Sequence, residues 1–444
     1  MRGIVVRGFL AFVLLLGRVA AAEESTSAVA PKSRLWADPP ATPASQYRHP
    51  GQLQPPVVGR PAVGVLLPLS GRYRAFGDSC LKGIRVALGA IEGQSPLVRT
   101  VVLDSAGEAA QAAAGFQKLA ADPSIVAVLG PMVSAEVDAV RPYVQASGLA
   151  TMNFSQRPVG GALFRFSLTK EDQARALASY AVGRLGLRRW AILHPDDAYG
   201  RDISLLFRQA VERFGGRVLA DVGYETSKAD LQAEARRLQA RLGITENQPL
   251  PIDGVFLPDS AERLAMVTSY LTFVDIRGIQ LLGAAGWDRP QALLSAMPAV
   301  NGGVFVDGFF LYSFQPEVRS FVDAFRDAYQ TDPGALEAYG YDAAALLRDI
   351  ITAGTPTRAG VLTELYRPGS HRGATGETVI TADGRIEKSL FLLKVEEGAI
   401  HELEVPTTAR SRGSFAPGGA KTRPWLQSPD WDSRSMEDRI GGGR

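Results

Sequence analysis

The chain has 444 residues, 46% of them hydrophobic and 21% charged, which is an ordinary composition for a globular protein of two or three domains. A formal net charge of +2 provides no strongly basic field of the kind that nucleic-acid-binding proteins carry, so we expect no nucleic-acid partner. The single cysteine, Cys80, excludes an intrachain disulfide.

The first residues have the pattern of a secretory signal peptide. A basic start precedes the apolar run Phe9–Leu16, and the small residues Ala20 and Ala22 form a cleavage site. The alternative is a membrane anchor, but a span needs about 20 apolar residues and Arg18 interrupts this run. We therefore expect residues 1–22 to be removed on export to the periplasm, and no segment of the chain to span a membrane.

Two segments lack any periodic pattern. Residues 23–60 are rich in Pro, Ser and Ala and are predicted to be a disordered linker, and residues 407–444 are predicted to be a disordered tail. Cys80 is too far from the N-terminus to be the acylated cysteine of a lipoprotein, so the chain has no lipobox.

Between these segments, strands and helices alternate twice. The first series contains the apolar runs AVGVLL, VRTVVLD, SIVAVLG and GLATMNF, and the second contains RRWAILHP, RVLADVGY, DGVFLP and IQLLGAAG. Amphipathic segments of helical period separate these runs. Strands joined by helices form parallel sheets with both faces covered, so the pattern predicts an α/β protein with two similar lobes.

The third part of the chain departs from this alternation. A predicted strand, GGVFVDGFFLY, is followed by three helices. The segment GETVITADGRIEKSLFLLKVEEGAIHELE then alternates apolar and polar residues about Asp383-Gly384, which is typical of a hairpin. We interpret this part as chain that returns to complete both lobes.

The sequence contains no motif of a known catalytic centre. The four histidines lack zinc spacing, and HExxH, GxxxxGK[ST], GxGxxG after a strand, and GxSxG are absent. Asp196 and Asp197 follow a predicted strand, where an aspartate commonly caps the next helix. We therefore expect no enzymatic activity, no cofactor and no metal.

Small polar residues mark four junctions that follow predicted strands: Ser70-Gly71, Gly130-Pro131 leading to Ser134, Ser155, and Tyr199-Gly200. In open α/β sheets, ligands bind beyond the carboxyl ends of the strands, where helix N-termini offer free N–H groups. Each junction alone is equally well explained as a turn and a helix cap. Four of them at equivalent places favour a ligand-binding cleft.

The chain resembles the periplasmic solute-binding proteins of the leucine/isoleucine/valine-binding type. The segments that carry the resemblance are GVLLPLSGRYRAFGDSCLKGIRVAL, VLGPMVSAEVDAVRPYVQASGLATMN, RRWAILHPDDAYGRD, ALEAYGYDAAALL and GATGETVITADGRIEKSLFLLKVEEG. The resemblance implies the type I fold, with two Rossmann-like lobes joined by three crossovers and a hinge that closes on a ligand. It places lobe 1 at 61–166 and 310–374 and lobe 2 at 167–309 and 375–406.

The same resemblance implies roles for individual residues. Ser70 and Gly71 would line the cleft edge of lobe 1, Ser134 would donate to a ligand carboxylate, and Ser155 would lie in the neighbouring loop. Tyr199 would cover the ligand from lobe 2. Turn formation remains an alternative for the Ser70-Gly71 pair, and core packing remains one for Tyr199.

Two functions are consistent with these features. One is a periplasmic receptor that delivers a small-molecule ligand to an ABC permease. The other follows from a narrower resemblance of LLPLSGRYRAFG, LLGAAGWDRPQALL and GGVFVDGFF to the branch that contains penicillin-binding-protein activators. Those proteins act as non-enzymatic regulators of peptidoglycan synthesis, so a peptidoglycan synthase would then be the partner.

The segment LLGAAGWDRP bears on the ligand. The resemblance implies that amino-acid receptors place a carboxylate there for the ligand ammonium, and this chain has Ala285 instead. Asp288 is close but is expected to cap the helix that opens at Pro290, while Trp287 either faces the cleft mouth or packs against the lobe. We therefore expect leucine, isoleucine and valine to bind weakly, and the natural ligand to lack an α-ammonium group or to be larger.

Overall fold

A computed structural model describes residues 60–91, 96–157, 160–245, 248–354, 356–381 and 384–403. The predicted signal peptide, the linker up to residue 59, the tail, and Asp383 of the predicted hairpin lie outside these ranges.

Fifteen strands are present in the described part of the chain. They are β1 (Ala62–Leu67), β2 (Arg99–Asp104), β3 (Ile125–Leu129), β4 (Ala150–Asn153), β5 (Leu163–Arg165), β6 (Arg189–Pro195), β7 (Arg217–Tyr224), β8 (Gly254–Leu257), β9 (Gln280–Gly283), β10 (Val304–Asp307), β11 (Gly369–Gly373), β12 (Gly376–Ile380), β13 (Ile386–Lys388), β14 (Phe391–Glu396) and β15 (Ala399–Glu402).

Eleven α-helices lie between and beside these strands in the same ranges. They are α1 (Arg74–Leu88), α2 (Ala109–Ala121), α3 (Ser134–Ser147), α4 (Lys170–Ala178), α5 (Ala198–Arg213), α6 (Gln232–Leu242), α7 (Ala261–Phe273), α8 (Pro290–Ser295), α9 (Pro316–Tyr329), α10 (Ala335–Thr352) and α11 (Arg358–Leu365). None of the described helices is long and apolar enough to cross a membrane.

The first sheet has five parallel strands in the order β2-β1-β3-β4-β5. Alternate residues of β1 point to opposite faces, so Ala62 and Leu66 pack with α2 and α3, whereas Val63 and Val65 pack with α1 and α10. This arrangement explains why β1 is an unbroken apolar run: both of its faces are buried.

The second sheet has seven strands in the order β15-β14-β10-β9-β8-β6-β7. Strands β6 to β10 are parallel, and β14 adds antiparallel to β10. Trp190 and Phe207 are in the core on one face, with α4 and α5, while Leu193 and Leu264 are in the core on the other, with α6 and α7. The predicted pair of α/β lobes is confirmed.

The chain passes between the sheets at three places, as the predicted fold requires. It leaves the first sheet after β5, because α4 packs on α5 and β10. It returns between β10 and α10, which packs on α1, and it enters the second sheet again through the small antiparallel sheet β11-β12-β13. The predicted lobe boundaries fall in these connecting segments, and we keep the exact bounds as a proposal.

The structure also differs from the sequence prediction. The strand predicted through Tyr312 ends at Asp307, whose carboxylate accepts hydrogen bonds from the backbone N–H groups of Gly308 (2.5 Å) and Phe309 (3.3 Å) and so turns the chain. The predicted hairpin is present as β12 and β13. A second hairpin, β14–β15, turns at Glu397-Gly398 and was not predicted.

Candidate functional site: the interlobe cleft

The Ser70-Gly71 turn is held in place by Asp104 at the end of β2. The Asp104 carboxylate accepts hydrogen bonds from the backbone N–H groups of Leu69 (2.8 Å) and Ala106 (2.7 Å). Burial opposes its ionisation, but these bonds and one from the Ser70 hydroxyl outweigh burial and hold the pKa of Asp104 below its ordinary value. The Ser70 hydroxyl is therefore already engaged within lobe 1.

Gly71 has no substitute at this turn. Its φ of +70° lies in the left-handed region, and a Cβ atom at this position would lie 2.8 Å from the carbonyl oxygen of Ala106. The Ser70-Gly71 pair is thus fully accounted for as a turn that starts the lobe's first helix. Its predicted role in ligand binding stays a prediction.

Ser134 begins α3 and is half-buried. Two residues later, the completely buried Glu136 accepts hydrogen bonds from the N–H groups of Met132 (3.3 Å) and Val133 (2.9 Å). Burial raises the pKa of Glu136, against the hydrogen bonds that it accepts. A ligand carboxylate beside Ser134 would therefore lie close to a carboxylate that the chain itself supplies.

Ser155 is buried and hydrogen-bonded within its own loop. Its hydroxyl donates to the side-chain oxygen of Asn153 (2.9 Å), as does its backbone N–H (3.0 Å). Asn153 in turn donates to the carbonyl oxygen of Phe164 (2.7 Å). The structure therefore shows Ser155 as part of the connection between β4 and β5, with its hydroxyl hydrogen already used.

Tyr199 lies in the first turn of α5 and is 40% exposed. Asp197 caps this helix through the N–H of Gly200 (2.7 Å), as predicted, while Asp196 pairs with Arg201 (2.7 Å). Burial, followed by the negative charges of nearby aspartates, raises the pKa of Tyr199 to about 12. The hydroxyl therefore lies near the carboxyl groups of Asp197, Asp307 and Asp259.

Trp287 does not face the cleft. The residue is 0% exposed, its indole N–H donates to the carbonyl oxygen of Leu257 (3.1 Å), and its ring packs on Phe305. A Cβ atom at Gly283 would overlap the indole, so the glycine makes room for it. Of the two alternatives for Trp287, the structure shows packing against the lobe and not an aromatic wall for a ligand.

The carboxyl groups near Tyr199 include residues that the sequence analysis did not select. Asp259 follows β8, Asp288 follows β9, and Asp307 ends β10, and carboxyl ends of parallel strands lie at one edge of a sheet. Burial, and then the charge of Asp288, raises the pKa of Asp307 to about 7. The sequence pattern pointed to Asp288 alone. Asp259 and Asp307 could not be placed at the same edge of the sheet until the strand order was known.

Lobe 1 contributes an apolar cavity of about 200 Å³. Its lining comes from α1, from the loops after β3 and β4, from the first crossover and from α10; it includes Cys80, Met132, Phe154, Phe166, Leu168 and Tyr339. Cys80 is buried, and burial raises the pKa of its thiol, as in an unreactive cysteine of a core.

The two edges meet at Tyr339. This residue lies on α10, which packs on α1 of lobe 1, yet its hydroxyl is so close to Gly308, after β10 of lobe 2, that a Cβ atom there would overlap it. Within the described ranges, no group of three His, Cys, Asp or Glu side chains is arranged to hold a metal ion. The site therefore combines an apolar wall, an acidic edge and a tyrosine between them.

The family model for periplasmic binding proteins matches residues 62–399, which is most of the chain and contains all the elements of this site up to β14. The chain belongs to the periplasmic binding protein family. Its fold is the type I fold of that family, because solved structures with this fold superpose on both lobes.

Three similar proteins illustrate the relationship. Leu/Ile/Val-binding protein homolog 3 of Brucella melitensis is 24% identical over 177 residues, or 37% of this chain and 46% of that protein. A protein assigned as a branched-chain amino acid ABC transporter in Rhodospirillum rubrum is 22% identical, with a TM-score of 0.70, covering 78% of this chain and 100% of that one. An ABC transporter substrate-binding protein of Desulfitobacterium hafniense, in complex with Leu, is 22% identical, with a TM-score of 0.58, covering 78% of this chain and 100% of that one. The chain spans about half the length of the curated relatives that it matches.

In this periplasmic binding protein the crossovers converge on a buried lysine. The ammonium group of Lys388 donates to the hydroxyl groups of Thr375 (2.5 Å) and Thr378 (2.7 Å) and lies 3.9 Å from the ring centroid of Phe166. Asp342 on α10 lies 3.8 Å away and accepts hydrogen bonds from the third crossover. Burial lowers the pKa of Lys388 to about 8, against the pull of Asp342.

This cluster joins three parts of the chain that the fold keeps far apart in sequence. Phe166 belongs to the first crossover, Thr375 to the third, and Asp342 to the helix that completes lobe 1. The cluster therefore ties together the segments that connect the two lobes.

Proposed function

We propose that the protein is a periplasmic receptor that captures a small ligand between its two lobes and presents it to an ABC permease. The observation that carries this proposal is the meeting of the two carboxyl-end edges at Tyr339 and Gly308, beside an apolar cavity on one lobe and ionisable groups on the other. Ligand pockets combine an apolar lining with a few convergent polar groups in this way.

Family membership and the relatives support the proposal. The Desulfitobacterium protein holds Leu, and the Brucella relative is named for Leu, Ile and Val. The export pattern at residues 1–22 agrees with a periplasmic site of action, although that segment lies outside the described residues. No cluster of side chains described above favours an enzyme. The alternative, a regulator of peptidoglycan synthesis, rests on the resemblance of three sequence segments alone and stays a prediction.

Small-angle X-ray scattering of the mature chain tests the receptor function. We expect the radius of gyration to fall when a low-molecular-weight extract of the periplasm is added, because the lobes close on the ligand. A matched extract treated to remove small solutes serves as the control. An unchanged scattering profile with every extract and every pure solute would contradict the proposal.

A further inference from the structure

Lobe 2 presents carboxylates that lack a basic partner at the cleft edge. Asp197 follows β6, Asp288 follows β9 and Asp307 ends β10, and none of the three forms a salt bridge within the described ranges. Asp259, by contrast, is neutralised by Arg263 (3.0 Å) and also accepts from the Tyr224 hydroxyl. Three aspartates without a basic partner therefore lie at one edge of the sheet, where a cation would favour their charged forms.

These carboxylates act on a common volume. Asp197, Asp259 and Asp307 all act on the hydroxyl of Tyr199, and Asp288 acts on Asp307. Lys170 lies 6.0 Å from the Tyr199 ring centroid, but its ammonium group is 2.5 Å from Asp202 and is therefore already paired. The carboxyl groups of Asp197 and Asp307 therefore lie near Tyr199 without a salt bridge to any described side chain.

A second observation is independent of the acidic residues. Tyr339 is only 6% exposed, and its hydroxyl has no hydrogen-bond partner among the described residues. Buried hydroxyl groups are nearly always hydrogen-bonded, so an orphaned one calls for a partner that the chain does not provide. The Tyr339 oxygen lies against Gly308, next to Asp307, and the same side chain lines the apolar cavity.

Lobe 1, meanwhile, offers little to an anion. The hydroxyl of Ser70 is bound to Asp104, that of Ser155 is bound to Asn153, and Glu136 brings a buried carboxylate to the start of α3. The guanidinium group of Arg72 stacks 4.5 Å from the Tyr73 ring centroid. A ligand carboxylate would thus find few free donors on this lobe.

From this arrangement we infer that the cleft takes an organic cation, a primary amine carried on an apolar body without a carboxylate. The apolar body fills the cavity beside Phe154 and Phe166, and the ammonium group lies between Asp307 and Tyr199. The ammonium group of Lys388 lies 3.9 Å from the Phe166 ring centroid and 5.6 Å from that of Tyr339, but it is already bound to the hydroxyl groups of Thr375 and Thr378. The oxygen of Tyr339 lies at the boundary and accepts a hydrogen bond from the ammonium group of the ligand. This inference rests on the receptor function proposed above.

Asp307 changes what Ala285 implies about the ligand. The loop after β9 has Ala285 where a carboxylate was expected, but the neighbouring strand β10 ends with a carboxylate, that of Asp307. An amino acid would bring its carboxylate to a lobe with few free donors, whereas a simple amine would not. Weak binding of leucine and good binding of an amine are therefore expected together.

Calorimetry with four probes of one shape tests the inference: phenethylamine, phenylalanine, 3-phenylpropionate and 2-phenylethanol. We expect phenethylamine to bind at least about tenfold more tightly than each of the others, because it alone offers a cation without an anion. Equal or tighter binding of the anion or the alcohol would overturn the inference.

Two variants of the cleft and one control variant complete the test. Asp307→Asn keeps the shape of the side chain and should weaken phenethylamine binding by about tenfold or more. Tyr339→Phe removes only an unpartnered hydroxyl, so it should weaken binding severalfold without lowering the melting temperature. Asp323→Asn, at an exposed position on α9 with no salt bridge described, should change nothing. Unchanged binding in both cleft variants would overturn the inference.

Scattering with periplasmic extract separates this inference from the receptor function. If an extract closes the lobes but phenethylamine does not bind, the ligand class is wrong and the receptor function stands. If neither an extract nor any probe has an effect, the receptor function fails and this inference fails with it.

Discussion

Gly71 shows how a single residue can be required by both conformation and space. Its positive φ is strained for any residue with a side chain, and its Cβ position is blocked by the backbone of Ala106. Gly148 also has a positive φ, of +61°, but no atom lies within 4 Å of its Cβ position. A comparison of the two glycines therefore distinguishes the cost of backbone strain from the cost of steric overlap.

We predict that Gly71→Ala lowers the free energy of unfolding by about 2–3 kcal/mol, the sum of left-handed strain and displacement of the Ala106 carbonyl. Gly148→Ala should cost only about 1 kcal/mol, because it has the strain alone. Urea denaturation measures both. If both variants lose the same free energy of unfolding, the Ala106 carbonyl can move aside without cost.

Asp307 links stability to pH. Its pKa of about 7 in the folded protein exceeds the ordinary value of 3.8, so the native state binds more protons than the unfolded state between these values. The free energy of unfolding should therefore fall as pH rises from about 4 to about 7, by at most about 4 kcal/mol from this group.

The Asp307→Asn variant tests this sign. It should be more stable than the native protein at pH 8 and differ little from it at pH 4, as thermal denaturation at the two pH values would show. If the difference in melting temperature between the two proteins is the same at both pH values, the pKa of Asp307 is not raised. Since the same substitution is expected to weaken ligand binding, Asp307 exchanges stability for function.

The residue scale also shows what a sequence pattern can and cannot predict. Asp197 was correctly predicted as a cap, because capping depends only on the next few residues. Asp307 and Tyr339 were not selected, because their proximity depends on strand order and on a helix from the other lobe. Trp287 remained ambiguous in the sequence, since a large aromatic residue suits both a cleft and a core.

At the scale of elements, α1 and α10 pack so closely that glycines are needed at the contact. A Cβ atom at Gly83 would overlap the carbonyl of Glu337, and one at Gly340 would overlap the carbonyl of Cys80. Backbone therefore meets backbone along this pair, and the two helices lie against one face of the first sheet.

We predict that Gly83→Ala and Gly340→Ala each lower the free energy of unfolding by about 3 kcal/mol, because the helices must move apart. The control is Gly183→Ala in the π-helical turn Ser179–Arg184, where the nearest atom to a Cβ lies at 3.8 Å. That change should be neutral or stabilising by up to about 1 kcal/mol. Urea denaturation measures all three variants. Equal free energies of unfolding would contradict the prediction and show that the contact between α1 and α10 adapts to the added methyl groups.

Most elements followed from periodicity, and the exceptions have a physical reason. The helices α9 and α10 were predicted because each shows a clear apolar stripe. The strand β5 has only three residues and therefore shows no period, whereas the residues of β14 were included in the single hairpin predicted about Asp383-Gly384. The early end of β10 depended on a side-chain-to-backbone hydrogen bond that no period records.

At the scale of the whole molecule, the distribution of charge between the lobes affects the affinity for leucine. We predict that leucine binds the mature protein more weakly than low micromolar, because few donors remain on lobe 1 for its carboxylate. Calorimetry with leucine measures this. A dissociation constant in the low micromolar range or tighter would show that Ser134 and the start of α3 hold a carboxylate despite Glu136.

The return of α10 to lobe 1 also has a consequence for synthesis. Helix α1 ends at Leu88 and its partner begins at Ala335, so about 250 residues are made between them, which takes roughly 12–50 s at ~5–20 residues per second. During that interval the side of α1 that contacts α10 is uncovered, although the helix can already pack on β1. The first lobe therefore cannot be completed until most of the second has been synthesised.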